Sequence, residues 1–142
     1  MVREIKHLNE ILCIIIEANY QSNGIEFFTP PDFSQQLGYM NHGKGHTIPP
    51  HTHNPMPRKV ILTQEVLYVK KGKVRVDLYD KNQVYVESTI LKTGDVILLA
   101  SGGHGFEMLE NTEMIEIKQG PYLEQEDKVR FKPVDSSSVT IK

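Results

Sequence analysis

The chain has one cysteine and no tryptophan in 142 residues. A single thiol, Cys13, excludes an intrachain disulfide framework and a thiolate metal cluster. It stands in the apolar run Ile11-Leu12-Cys13-Ile14-Ile15-Ile16, where a small buried residue is expected rather than a reactive thiol. That run is too short to span a bilayer. Charges flank it closely and no small-residue cleavage site follows, so a signal peptide is not expected and a cytoplasmic location is. An excess of one charge is also lacking: 16 Lys and Arg stand against 18 Asp and Glu, a net charge of -2, with a pI near 6.3. Such a chain has no global basic field for nucleic acid or an anionic membrane. Helical periodicity and internal repeats are scarce as well, and the only low-complexity stretch is Ser136-Ser137-Ser138.

What the chain has instead is short runs of β-branched and aromatic residues punctuated by eight prolines and ten glycines. This is a strand-and-turn pattern. Ile11 to Ala18 reads as the first strong strand, Ile25 to Phe28 as a short one after the Asn23-Gly24 turn, and Phe33 to Asn41 as another. His46 to His53 is extended, as Pro49 and Pro50 require. Glu65 to Lys70 and Val74 to Asp80 are expected to pair as a hairpin around Lys71-Gly72-Lys73. Val84 to Leu91 and Val96 to Ala100 follow. His104 to Leu109 and Met114 to Lys118 are expected to form a closing hairpin. Nine or ten such strands predict an all-β antiparallel sandwich or barrel. The length fits a single domain over residues 1–142, with a barrel core over about 10–118 and a polar extension over 120–142 that is expected to fray. Within that extension, Arg130-Phe131-Lys132-Pro133 is a candidate docking segment for a neighbour or a partner subunit.

His51-Thr52-His53 is the sharpest local feature. Residues i and i+2 of a strand share a face, so two imidazoles can meet one cation. Standing alone, the pair reads equally well as exposed polar residues. Glu65 opens an apolar strand in phase with Leu67 and Val69, and an inward carboxylate there is costly unless paired or metal-bound. His104 opens a later strand in phase with Phe106 and Met108. Three histidines and a carboxylate on expected inner faces suit Fe(II), Zn, Mn, Ni or Cu.

These residues resemble the two motifs of the cupin superfamily. Gly45 is followed after five residues by His51-Thr52-His53, and Glu65 after six by Gly72. Gly94-Asp95 opens the second motif and His104 closes its histidine part. The resemblance runs over about residues 35–118. It departs from the family pattern in the eleven residues between His53 and Glu65, in Ala100 for the usual proline, in the lone Gly103 between Gly102 and His104, and in Met108 for the usual asparagine. Glu65-Val66-Leu67-Tyr68-Val69, Gly102-Gly103-His104-Gly105-Phe106 and Lys118-Gln119-Gly120-Pro121-Tyr122 are similar to small single-domain bacterial cupin-fold metalloproteins found among sugar and surface-polysaccharide functions. The resemblance implies a double-stranded β-helix, the jelly-roll or cupin barrel. It also implies a divalent transition metal (Fe, Zn, Mn or Ni) held by His51, His53, Glu65 and His104, and commonly a homodimer.

Arg58, Tyr39, Gln64 and Gln119 are candidate pocket residues, with Arg58 and Lys59 able to meet an anionic ligand. Tyr68 is out of phase with Glu65 and is expected outside its sheet or at an interface. Glu116 and Lys118 alternate with Ile115 and Ile117, and either pair can face the core. His42 and His46 flank Gly43-Lys44-Gly45 as loop histidines, and Gly102-Gly103 reads as a tight turn. The functional expectation is a metal-binding cupin acting on a small polar metabolite such as a sugar or nucleotide sugar, in carbohydrate metabolism, as an isomerase, epimerase or Fe-dependent dioxygenase. The alternative is a non-catalytic, metal-anchored binding or sensing module. The sequence assigns no catalytic residue.

Overall fold

The computed structural model describes residues 1–123 and 127–142. The chain is all-β and antiparallel, with ten strands and one short 3-10 turn, and among the described residues there is no α-helix. The strands are β1 Val2–His7, β2 Glu10–Ile16, β3 Gly24–Phe27, β4 Gly38–Asn41, β5 Glu65–Lys71, β6 Lys73–Tyr79, β7 Tyr85–Lys92, β8 Val96–Leu99, β9 Gly103–Met108 and β10 Glu113–Lys118. They form a five-stranded sheet in the order β1-β2-β8-β5-β10, a three-stranded sheet β7-β6-β9, and the separate hairpin β3-β4. The ladders do not close into a barrel. Among the described residues β9 and β10 each end a sheet, so the expected closed cupin barrel is an open pair of sheets instead.

Alternation builds the core. Leu67 and Val69 of β5, Val74, Val76 and Leu78 of β6, and Ile97 and Leu99 of β8 point to one buried cluster between the two larger sheets. Inward positions two residues apart on each strand produce this layer. Cys13 is wholly buried in the same cluster, and desolvation pushes its thiol up to about 12, so it is an inert packing group.

Two expected hairpins are corners between sheets. β5 pairs with β8 and β10, whereas β6 pairs with β7 and β9, so the chain changes sheet at Gly72. β9 and β10 likewise belong to different sheets. The two corners stack: Leu109 N and Glu110 N both donate to Lys73 O, and Thr112 Oγ1 accepts from Lys73 N at 3.2 Å. Gly72 has φ +93°, and a Cβ there would collide with the Asn111 carbonyl and with Thr112. Backbone groups of one corner, not a turn dipeptide, therefore direct the other.

Other expectations shift. β1 stands where the sequence pattern predicts no strand: Arg3, Glu4, Lys6 and His7 surround its one buried residue, Ile5, as suits an edge strand. Only Gly38–Asn41 of the expected 33–41 strand is a strand. Residues 42–64 form none, and those from His46 to His53 are exposed and unpaired. The described part of the C-terminal extension packs back on the sheet. Phe131 packs edge-on against Tyr79 at 4.9 Å, Val134 N donates to the Tyr79 hydroxyl, and Ile141 forms a parallel bridge with Ser88 on β7. Gly103 admits Phe131, whose ring lies 2.9 Å from where a Cβ would sit.

The outer face of β6 carries a closed polar network. Arg75 donates twice to Asp77, at 2.7 and 3.0 Å, and Ser88 Oγ donates to Asp77 at 2.5 Å. Burial works to raise the Asp77 carboxyl, but the hydrogen bonds from Arg75 and Ser88 and the Arg75 charge outweigh it and hold it below the ordinary aspartate value. A depressed carboxyl stabilises the fold above its unfolded-state value, and that contribution is lost as pH falls through the folded-state value. Asp77→Asn should therefore cost about 2 kcal/mol at neutral pH, by leaving buried donors unpaired. The gap to the parent chain should close in acid below the ordinary carboxylate range; urea unfolding at the two pH values measures it.

Candidate functional site

Glu65 and His104 come from different sheets and meet. Glu65 opens β5 and points inward with Leu67 and Val69; its carboxylate is buried. His104 on β9 lies opposite Leu78 of β6 and shares its inward face. His104 Nε2 stands 3.1 Å from Glu65 Oε2, and Lys118 Nζ stands 3.7 Å from the other carboxylate oxygen. The hydrogen bond from His104 lowers the Glu65 pKa against the opposing effect of burial, with further help from the charges of His104, Lys128 and Lys118. Lys118 also reaches Glu116 at 3.1 Å and lies 4.7 Å over the Tyr122 ring. Opposite Leu67 and Glu65, Glu116 and Lys118 take the inward side of β10, which leaves Ile115 and Ile117 exposed beside Tyr68 on the outer face. This decides the phase of β10, which alternation alone left open.

The cluster forms the floor of a cleft of about 790 Å³. The rest of its lining includes Ile61, Leu62 and Thr63, Tyr79 and Phe106 of the sheet, and Lys128, Arg130 and Phe131 of the C-terminal strap. A second cavity of about 680 Å³ shares Ile61, Leu62 and Gly102 with it, and Lys59, Lys81 and Gln64 stand on its wall.

The other expected site residues lie elsewhere. His51 and His53 are exposed on the 42–64 segment with ring centroids 5.3 Å apart, and His51 Nδ1 stands 3.0 Å from Pro49 O. Among the described residues no three His, Cys, Asp or Glu side chains gather as a metal would need. A carboxylate beside an imidazole nitrogen offers two donors suited to Fe, Zn, Mn or Ni, and the structure brings these two of the four together.

Arg58 is exposed and lines neither cavity. Tyr39 packs edge-on against Tyr20 at 5.1 Å. Gln64 and Gln119 act as a clamp: Gln119 Oε1 accepts from Gln64 N at 2.8 Å, and Gln64 Oε1 accepts from Ser34 Oγ and Gln35 N. His42 and His46 stack face to face with centroids 4.0 Å apart, so their nitrogens do not converge on a common point. Lys118, Lys128 and Arg130 are the cleft residues that sequence reasoning did not assign. For Lys118 the alternation with Ile115 and Ile117 offers two phases and does not choose between them, and nothing local ties the strap to the cleft.

Comparison of the chain with protein-family models, curated proteins and solved structures finds no significant match in any of the three.

Proposed function

We propose that this chain is a metal-binding protein of the cupin type, a jelly roll whose cleft takes a small polar metabolite. The observation that carries the reading is the meeting of Glu65 and His104 from opposite sheets at the floor of the cleft. The passage of β5 to β10 back and forth between two facing sheets supports the jelly-roll architecture. His51 and His53 are the remaining donors, on the segment whose end, Ile61 to Thr63, lines the same cleft. A divalent cation held by such a set would supply Lewis acidity toward a carbonyl or hydroxyl oxygen, the chemistry of an isomerase, an epimerase or, with Fe(II), a dioxygenase. The chain's own groups orient the site: Lys118 holds the Glu65 carboxylate, and Phe106, Tyr79 and Phe131 supply apolar lining.

Elemental analysis of the as-isolated chain tests this. Stoichiometric Fe, Zn, Mn or Ni is expected, with loss in His104→Ala and in His51→Ala/His53→Ala. A chain that carries no such metal and gains none from the four ions overturns the metal reading. One observation favours a second reading in that case. The Glu65 charge is already compensated by His104 and Lys118, as a metal-independent binding module would require.

A further inference from the structure

The cleft itself has a polarity that the whole chain lacks. The molecule carries a net charge of -2, yet the cleft is lined by Lys118, Lys128 and Arg130 against the carboxylates of Glu65 and Asp127; Lys118 is paired with Glu65 and Glu116, so Lys128 and Arg130 are the cations that face a ligand. Glu65 is buried and shares its two oxygens between His104 and Lys118, so little of its charge reaches the open part of the cleft. Lys128 and Arg130 are exposed along the strap that forms one wall. Phe131 pins that strap by packing on Tyr79 and over Gly103. Ile61, Leu62 and Phe106 add apolar surface to the lining. Low-dielectric walls focus the field of a few charges into a cleft, and cations there raise the local concentration of anions.

We infer that the cleft selects an anionic ligand, a small molecule bearing a phosphate group. Lys128 and Arg130 meet the anion at the mouth, and the neutral part of the ligand lies inward toward Glu65 and His104. The forked guanidinium of Arg130 suits two phosphate oxygens, and Lys128 adds a point charge. This deepens the small-polar-metabolite reading by naming its ligand class, and it rests on the cleft being the ligand site. It does not depend on a metal.

The experiment is isothermal titration of the full chain, in low-salt neutral buffer, with pyrophosphate and inorganic phosphate, with malonate as a carboxylate probe and glucose as an uncharged one. Elemental analysis runs on the same samples. Saturable binding of pyrophosphate or phosphate is expected, tighter than malonate and absent for glucose, and weakened as ionic strength rises. Lys128→Glu/Arg130→Glu should weaken phosphate binding about tenfold or more with metal content unchanged, and Phe131→Ala should weaken it by releasing the strap. Lys6→Glu, which makes the same kind of charge change on β1, should leave it unaltered. Both strap residues are exposed, so the double variant should fold, and a matching far-ultraviolet spectrum checks this. Absence of saturable phosphate or pyrophosphate binding overturns the inference, as does tighter binding of malonate. So does equal weakening by Lys6→Glu, which would mark a bulk charge effect, or undiminished binding in the double variant. Loss of metal with anion binding retained would sink the metal reading and leave this one standing.

Discussion

A Gly72→Val chain is expected to lose about 3 kcal/mol of stability, enough to lower its melting temperature by roughly 10 °C. The residue sits at φ +93°, a region that a β-branched side chain does not adopt without strain. The backbone cannot move aside, because a Cβ would meet the Asn111 carbonyl and the Cα of Thr112. Those atoms belong to the other corner, held by bonds from Leu109 N and Glu110 N to Lys73 O. Strain at residue 72 is therefore passed to both sheet crossings at once. Thermal unfolding of the variant beside Gly24→Val measures the effect. Gly24 also has positive φ, at +77°, but a Cβ there meets nothing within 4 Å, so its substitution isolates the cost of the dihedral. Equal losses in the two variants would show that the stacking of the corners contributes nothing.

The second large effect concerns the Glu65 and His104 pair in chelator-treated protein. His104→Leu should cost about 2 kcal/mol at neutral pH, because it removes the hydrogen bond at 3.1 Å to a buried carboxylate and leaves it with Lys118 at 3.7 Å and the more distant charge of Lys128. Glu65→Leu/His104→Leu should recover most of that loss, since an apolar pair of similar volume needs no compensation. Lys118 keeps Glu116 at 3.1 Å and is not stranded by the double change. Urea unfolding of the two variants and the parent gives the comparison. If the double variant is as unstable as the single one, the loss comes from packing around residue 104 and the two groups are not energetically coupled. In the parent chain the lowered Glu65 pKa makes the pair stabilising above the ordinary glutamate range. That contribution fades as pH falls through the depressed value.

Several features were legible in the residues because they are local. The inward phase of Glu65 follows from Leu67 and Val69 two and four residues on, and that of His104 from its spacing to Phe106 and Met108. Tyr68, out of phase with Glu65, lies on the outer face. The turns at 80–83 and 92–95 stand where Asp, Asn and Gly place them. β1 was hidden because an edge strand with one buried side chain has almost no hydrophobic alternation to read.

The all-β character, most of the strands and the facing of Glu65 and His104 were determined by the sequence alone, since side-chain alternation is a property of the chain over four to eight residues. Only the tertiary structure decided which sheet each strand joins. A tight turn at Gly72 and the turn at 110–112 look like hairpins in sequence, whereas the hydrogen bonds that place β5 beside β8 and β10, and β6 beside β7 and β9, span tens of residues. The same long-range packing brought Lys118 to Glu65 and carried Lys128 and Arg130 to the cleft through Phe131 on Gly103. It also left His51 and His53 on an unpaired segment. Pairing energy of this kind is realised only when both partners are in place, and no window of the sequence contains both.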